Sequence, residues 1–125
     1  MPQIFVIDDD NDLLKVVKTI LKRQAFVVST FNDWKVAKDA MVKTNPDLIL
    51  LDVFLHGSDG LNVCQRFKAS PYTKHIPILL FSGFPRIAAT AIEDYGAEDF
   101  LGKPFEVNEL INKVHAILAK KGVST

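Results

Sequence analysis

Short apolar runs alternate along this chain with stretches whose apolar residues recur every three or four positions. The runs are 4–7 (IFVI), 25–30 (AFVVST), 48–53 (LILLDV), 76–81 (IPILLF) and a shorter one near 98–101 (EDFL). Each is four to six residues long and flanked by Asp, Asn, Gly, Pro or Lys, so each predicts a strand. Between them lie helical patterns. A helix opening at Asn11 or Asp12 carries Leu13, Leu14, Val17, Ile20 and Leu21 on one face. A second, capped by Asn32 or Asp33, turns Trp34, Ala37, Ala40 and Met41 inward and stops at Asn45-Pro46, where proline disfavours helix at the residue before it. A third follows Asp59-Gly60 with Leu61, Cys64 and Phe67 inward, and Ser70-Pro71 breaks it. The fourth, over 87–95, places Ala88, Ala91, Ile92 and Tyr95 on one face and closes at Gly96. The last bears Val107, Leu110, Ile111, Val114, Ile117 and Leu118 on a stripe, and 122–125 is expected to fray. Strand and helix alternate five times, which predicts an α/β fold with a parallel sheet between two helical layers.

One residue breaks the apolar pattern. The run at 48–53 is apolar enough for burial on both faces, yet Asp52 sits near its end. A buried carboxylate left charged and alone is strongly unfavourable, so a cation, a lysine or a chemical modification is expected to meet it. In open parallel sheets ligands bind outside the carboxyl ends of the strands. Those ends carry Asp8 and Asp9 after the first strand, Asp52 on the third, Ser82 after the fourth and Lys103 after the fifth. Clustered carboxylates raise a pKa or recruit a cation, and an all-oxygen donor set suits Mg²⁺. Lys103 supplies a point charge suited to phosphate, and Ser82 a hydroxyl donor. A carboxylate nucleophile, a metal, a lysine and a hydroxyl together suit phosphoryl transfer to an aspartate.

Composition narrows the rest. The 125 residues are enough for one domain, 1–125, with a sizeable core. Lys+Arg and Asp+Glu balance at 15 each, so no global field favours nucleic acid or a membrane. The single cysteine, Cys64, excludes an internal disulfide and reads as a buried apolar residue. No apolar run reaches membrane-spanning length and the N-terminus is no signal peptide, so the cytoplasm is the expected location. His56, His75 and His115 are expected at the surface.

In order along the chain stand the Asp8-Asp9 pair, Asp52 in DLILLD, the 57–60 turn (GSDG), Ser82 in ILLFSG, and Gly102-Lys103-Pro104-Phe105. Asp9, Asp52, Ser82 and Lys103 are separated by 43, 30 and 21 residues. Over nearly its whole length the chain resembles the receiver domain of two-component response regulators. The resemblance implies a flavodoxin-like (βα)5 three-layer sandwich with strand order 2-1-3-4-5. It implies that Asp52 accepts a phosphoryl group from a phosphohistidine on a sensor histidine kinase or a histidine phosphotransfer protein. It implies Mg²⁺, with Mn²⁺ as a substitute, ligated by Asp9, Asp52 and the Phe54 backbone carbonyl, with Asp8 holding a coordinated water. Lys103 pairs with the acceptor, Ser82 and Phe100 form the switch, and the Lys103–Pro104 peptide is cis. Output is expected as contact with a downstream protein through the fourth helix, fifth strand and fifth helix. A start at Met1 and an end soon after the last helix favour a stand-alone regulator. Phe54 and Phe84 lie two residues beyond Asp52 and Ser82 and are expected to hinder an attacking water. His56 stands four residues after Asp52, where many members of the family have proline.

Two other readings compete. A Mg²⁺-dependent phosphatase of the haloacid dehalogenase type would use Asp8 and Asp10, but the chain lacks a cap insertion and leaves Asp52 without a role. A flavin-binding module would need a Ser/Thr/Gly phosphate loop after the first strand, where this chain has three carboxylates.

Overall fold

The apolar runs lie side by side in a computed structural model that describes residues 1–123. They form β1 (Gln3–Ile7), β2 (Val27–Phe31), β3 (Leu48–Asp52), β4 (Ile78–Ser82) and β5 (Asp99–Gly102). All neighbouring pairs are parallel, in the order β2-β1-β3-β4-β5. The expected 2-1-3-4-5 order is therefore present. Alternate residues of each strand face opposite layers. Ile4, Val6, Leu48, Leu50, Leu79 and Phe81 join one core with α1 (Asn11–Lys22) and α5 (Val107–Lys120). Phe5, Ile7, Ile49, Leu51, Ile78 and Leu80 join the other with α2 (Trp34–Thr44), α3 (Gly60–Ala69) and α4 (Ala88–Glu93). This is the three-layer sandwich.

The structure departs from the sequence expectations at several points. The cap of α1 is Asp10, not Asn11 or Asp12: its Oδ1 accepts the N–H groups of Asp12 and Leu13 at 3.0 and 3.1 Å. β2 begins at Val27 and not at Ala25, because Ala25 turns the chain with φ 65°. α4 is shorter than 87–95. Pro85 opens a 3₁₀ turn, Pro85–Ile87, and Ile92 is 40% exposed where inward packing was expected. Gly96 does take the left-handed conformation of a helix-closing residue, φ 81°. His115 is half-buried beside the Phe26 ring, 5.3 Å between centroids, so it is not a plain surface histidine. Of the tail expected to fray, Ser124 and Thr125 lie outside the described residues.

Between β3 and α3 the chain makes a small antiparallel ribbon, Phe54–Leu55 with Ser58–Asp59. Gly57 turns it with φ 71°. Asp59 then caps α3 by accepting the Leu61 N–H at 2.8 Å.

Candidate functional site

Strand register sets the site. Ile7 stands opposite Leu51, Asp52 opposite Phe81, and Ser82 opposite Gly102. The residues leaving β1, β3, β4 and β5 therefore emerge on one edge of the sheet. Asp8 is 2% and Asp52 5% exposed, and the ammonium of Lys103 lies between them. Its Nζ is 3.1 Å from Asp8 Oδ2 and 3.4 Å from Asp52 Oδ1. The same ammonium stands 4.5 Å from the centroid of the Phe81 ring, whose face attracts a cation. Lys103 is held in place by its own backbone, which donates its N–H to the Ser82 carbonyl at 2.8 Å. The Lys103–Pro104 peptide is cis.

Burial and the neighbouring Asp8 carboxylate raise the Asp52 pKa from 3.8 to about 6, against the opposing pull of Lys103 and the Phe54 N–H. One cation does not balance two buried carboxylates. Asp8 Oδ1 accepts the Asp10 N–H at 2.9 Å, and Asp52 Oδ1 the Phe54 N–H at 3.4 Å. Asp9 turns outward, and its Oδ2 accepts the N–H of His56 in the ribbon. Asp8, Asp9, Asp10, Asp52, Phe54, His56 and Lys103 line a cleft of about 310 Å³. These donors are carboxylate oxygens carrying excess negative charge, which fits a hard dication. Among the described residues no three Asp, Glu, His or Cys side chains are gathered as a ready cage. Asp8 and Asp52 share the ammonium, and Asp9 faces the ribbon.

Ser82 is fully buried at the end of β4, and its Oγ accepts the Phe84 N–H at 3.1 Å. Phe100 is buried in the core on the side of α2, α3 and α4. Phe54 and Phe84 are 56% and 59% exposed and their rings meet at 5.0 Å, with Phe54 lining the cleft. Cys64 is buried with its thiol pKa pushed up to about 12 by burial, which makes it inert. Asp10, needed by the phosphatase reading, has its carboxylate engaged at the N-terminus of α1. Sequence reasoning missed the Phe81 ring beneath Lys103, although an aromatic one residue before Ser82 was visible. It also missed the bond from Trp34 Nε1 to Ser58 Oγ, 3.0 Å, for which the sequence carries no signal.

Similarity to known proteins agrees with this geometry. The family model of the response regulator receiver domain matches residues 4–115. The chain is 36% identical over 121 residues to the DNA-binding dual master transcriptional regulator RpaA of Synechocystis, covering 96% of this chain and 50% of RpaA. It is 34% identical to the response regulator PleD of Caulobacter vibrioides, covering 92% of this chain and 26% of PleD. Thus the chain spans about half or less of the length of these curated relatives. A putative response regulator from Chloroflexus aurantiacus superposes with a TM-score of 0.87 at 33% identity, over 95% of this chain and 99% of that one. The receiver domain of NtrX from Brucella abortus gives 0.84 at 33% identity, over 93% and 98%. No helix among the described residues is long and apolar enough to cross a membrane. By its fold, by the carboxylate pair joined through Lys103 and by this match over most of its length, the chain belongs to the response regulator receiver domain family.

Proposed function

We propose that residues 1–125 act as one receiver domain, a signalling switch that catalyses only the phosphorylation and dephosphorylation of its own Asp52. The observation that carries this reading is the Lys103 ammonium held between two buried carboxylates at the mouth of a cleft. An Asp52 oxygen bonds to phosphorus as the P–N bond of a donor phosphohistidine breaks, and the imidazole leaves with the bonding pair. The donor is a sensor histidine kinase or a histidine phosphotransfer protein. Asp9, Asp52 and the Phe54 carbonyl would hold Mg²⁺, or Mn²⁺ in its place, with Asp8 holding a coordinated water, and the ion would supply charge that offsets the transferring group. Lys103 follows the phosphoryl oxygens.

The aspartyl phosphate carries about two negative charges where the carboxylate carried one, and it adds three acceptor oxygens. The hydroxyl of Ser82 turns to donate to that group, and Phe100 shifts with it, altering the α4–β5–α5 surface for a downstream protein. Neither nucleic acid nor a membrane is a direct partner of this domain.

Intact mass after incubation with phosphoramidate and Mg²⁺ tests the assignment. Wild type gains one phosphoryl group and Asp52→Asn gains none. Labelling of Asp52→Asn at the wild-type rate sinks it. Removing Mg²⁺ with EDTA abolishes labelling. The exposed Phe54–Phe84 pair also predicts a slow loss of the phosphoryl group, since the Phe54 ring lining the cleft, backed by Phe84, restricts an attacking water. Phe54→Asn is expected to speed that loss about tenfold, roughly the 1.4 kcal/mol that one such contact can carry. An unchanged decay rate rules out the rings as the barrier.

A further inference from the structure

The ribbon after Asp52 is more than a connection. Two of its N–H groups hold site carboxylates: that of Phe54 on Asp52 Oδ1 at 3.4 Å, and that of His56 on Asp9 Oδ2. The ribbon divides two open spaces. On one side is the acidic cleft. On the other lies a larger cleft of about 590 Å³ between the ribbon and the start of α2, lined in part by Asp9, Trp34, Lys35, His56 and Ser58. Leu55 packs into the core, but the tip from His56 to Ser58 stands outside it. Side-chain packing therefore does not set the tip.

A hydrogen bond from another element does. Trp34, first residue of α2, donates its indole N–H to Ser58 Oγ at 3.0 Å, across 24 residues of sequence. In the ribbon Ser58 pairs with Leu55, between the residues that hold Asp52 and Asp9. The indole is itself immobilised. Its edge meets the buried Phe67 ring at 6.2 Å, and Lys35 Nζ and Arg66 Cζ lie 5.9 and 5.8 Å from its centroid. The donor is thus fixed and the ribbon is the part that yields.

We propose that Trp34 is a positioning residue of the phosphoacceptor site, acting through Ser58 to hold the ribbon where its backbone can serve Asp52, Asp9 and the metal. This inference rests on the function proposed above. Releasing Ser58 lets the ribbon drift, and the Phe54 carbonyl and the N–H groups of Phe54 and His56 drift with it. Groups misplaced by a fraction of an ångström lose a large part of their effect on a reaction they do not themselves undergo.

The test uses Trp34→Phe, which keeps a ring against Phe67 and removes only the donor, with Ser58→Ala, the double variant, and Ser58→Thr, which keeps the hydroxyl. Mg²⁺ affinity by calorimetry and the rate of Asp52 labelling by phosphoramidate are read beside urea unfolding. Trp34→Phe and Ser58→Ala are each expected to weaken Mg²⁺ binding and slow labelling three- to tenfold. The double variant is expected to be no worse than either single one, since both remove the same bond. Ser58→Thr is expected to stay near wild type. Mg²⁺ affinity unchanged in both single variants, or losses that multiply in the double variant, overturns the proposal. A merely structural Trp34 would shift the urea midpoint and leave the affinity of the folded protein alone. Failure of wild type to label at Asp52 would instead remove the proposed function, while the affinity series still decides whether the bond positions the ribbon.

Discussion

Asp52→Asn is expected to be more stable than wild type in metal-free buffer at pH 7.5, by about 2–3 kcal/mol. The effect follows from the raised pKa of Asp52. In the folded protein the Asp52 carboxyl loses its proton near pH 6, because burial and Asp8 outweigh Lys103, whereas the unfolded value is 3.8. Each unit of difference corresponds to about 1.4 kcal/mol between the two protonation states. Between the two values the folded state binds more protons than the unfolded one, so its stability falls as pH rises through that window. Below pH 3.8 both states are protonated at this position and the penalty is absent. Above about pH 6 it is fully expressed. Asparagine is neutral throughout, so the difference between variant and wild type should be small near pH 4, grow towards pH 6 and then level off. Urea unfolding in EDTA at several pH values measures it. A wild type as stable as the variant at pH 7.5 would mean that Lys103 neutralises Asp52 fully. The strain has a functional side: a folded domain destabilised by an unpaired negative charge gains stability from a dication that compensates it.

Most of the architecture was legible because strand burial leaves a strong mark. In β3 and β4 residues on both faces are apolar, since helices cover both sides of the sheet. Asp52 stood out against that background, and its partner Lys103 could be named from the requirement that a buried charge be met. The three-to-four-residue spacing of Ala88, Ala91, Ile92 and Tyr95 predicts a longer helix than α4 because it persists beyond the segment that packs. Proline at 85 favours the 3₁₀ turn that delays its start, and of its six residues only Ala91 is buried.

The site was legible as a set of residues but not as a set of directions. Asp8 and Asp9 are adjacent at a strand end, where successive side chains point to opposite sides. Both line the same cleft, but with different partners: Asp8 meets Lys103, and Asp9 accepts the His56 N–H. The contact of Trp34 with Ser58 joins elements 24 residues apart, and neither residue type announces it. In the sequence Gly60 stands only as the last residue of the 57–60 turn. Its spatial role is the more demanding one.

Gly60→Ala is expected to lose about 3 kcal/mol or more, the upper end of what overpacking a filled site does. A Cβ on Gly60 would stand 2.1 Å from the Asp52 carbonyl oxygen, 2.6 Å from Val53 Cα and 2.8 Å from the Val53 carbonyl oxygen. All three are backbone atoms, so no rotamer change relieves the overlap. Room would have to come from separating the start of α3 from the end of β3. That movement breaks the Gly60 N–H bond to the Val53 carbonyl, 2.7 Å. It also shifts the peptide after Asp52, and with it the Phe54 N–H that Asp52 accepts. Gly57→Ala makes the contrast. Nothing lies within 4 Å of its would-be Cβ, but φ is +71°, so only the backbone preference is lost, about 1–2 kcal/mol. Thermal and urea melts of the two variants should therefore separate clearly. Phosphoramidate labelling, corrected for the folded fraction, should fall further in Gly60→Ala than in Gly57→Ala. Equal stability of the two would show that α3 can retreat from β3 freely. In that case the eight-residue interval from Asp52 to Gly60 would be set by the ribbon and its bonds to Trp34 and Asp9, and not by direct contact of helix with strand.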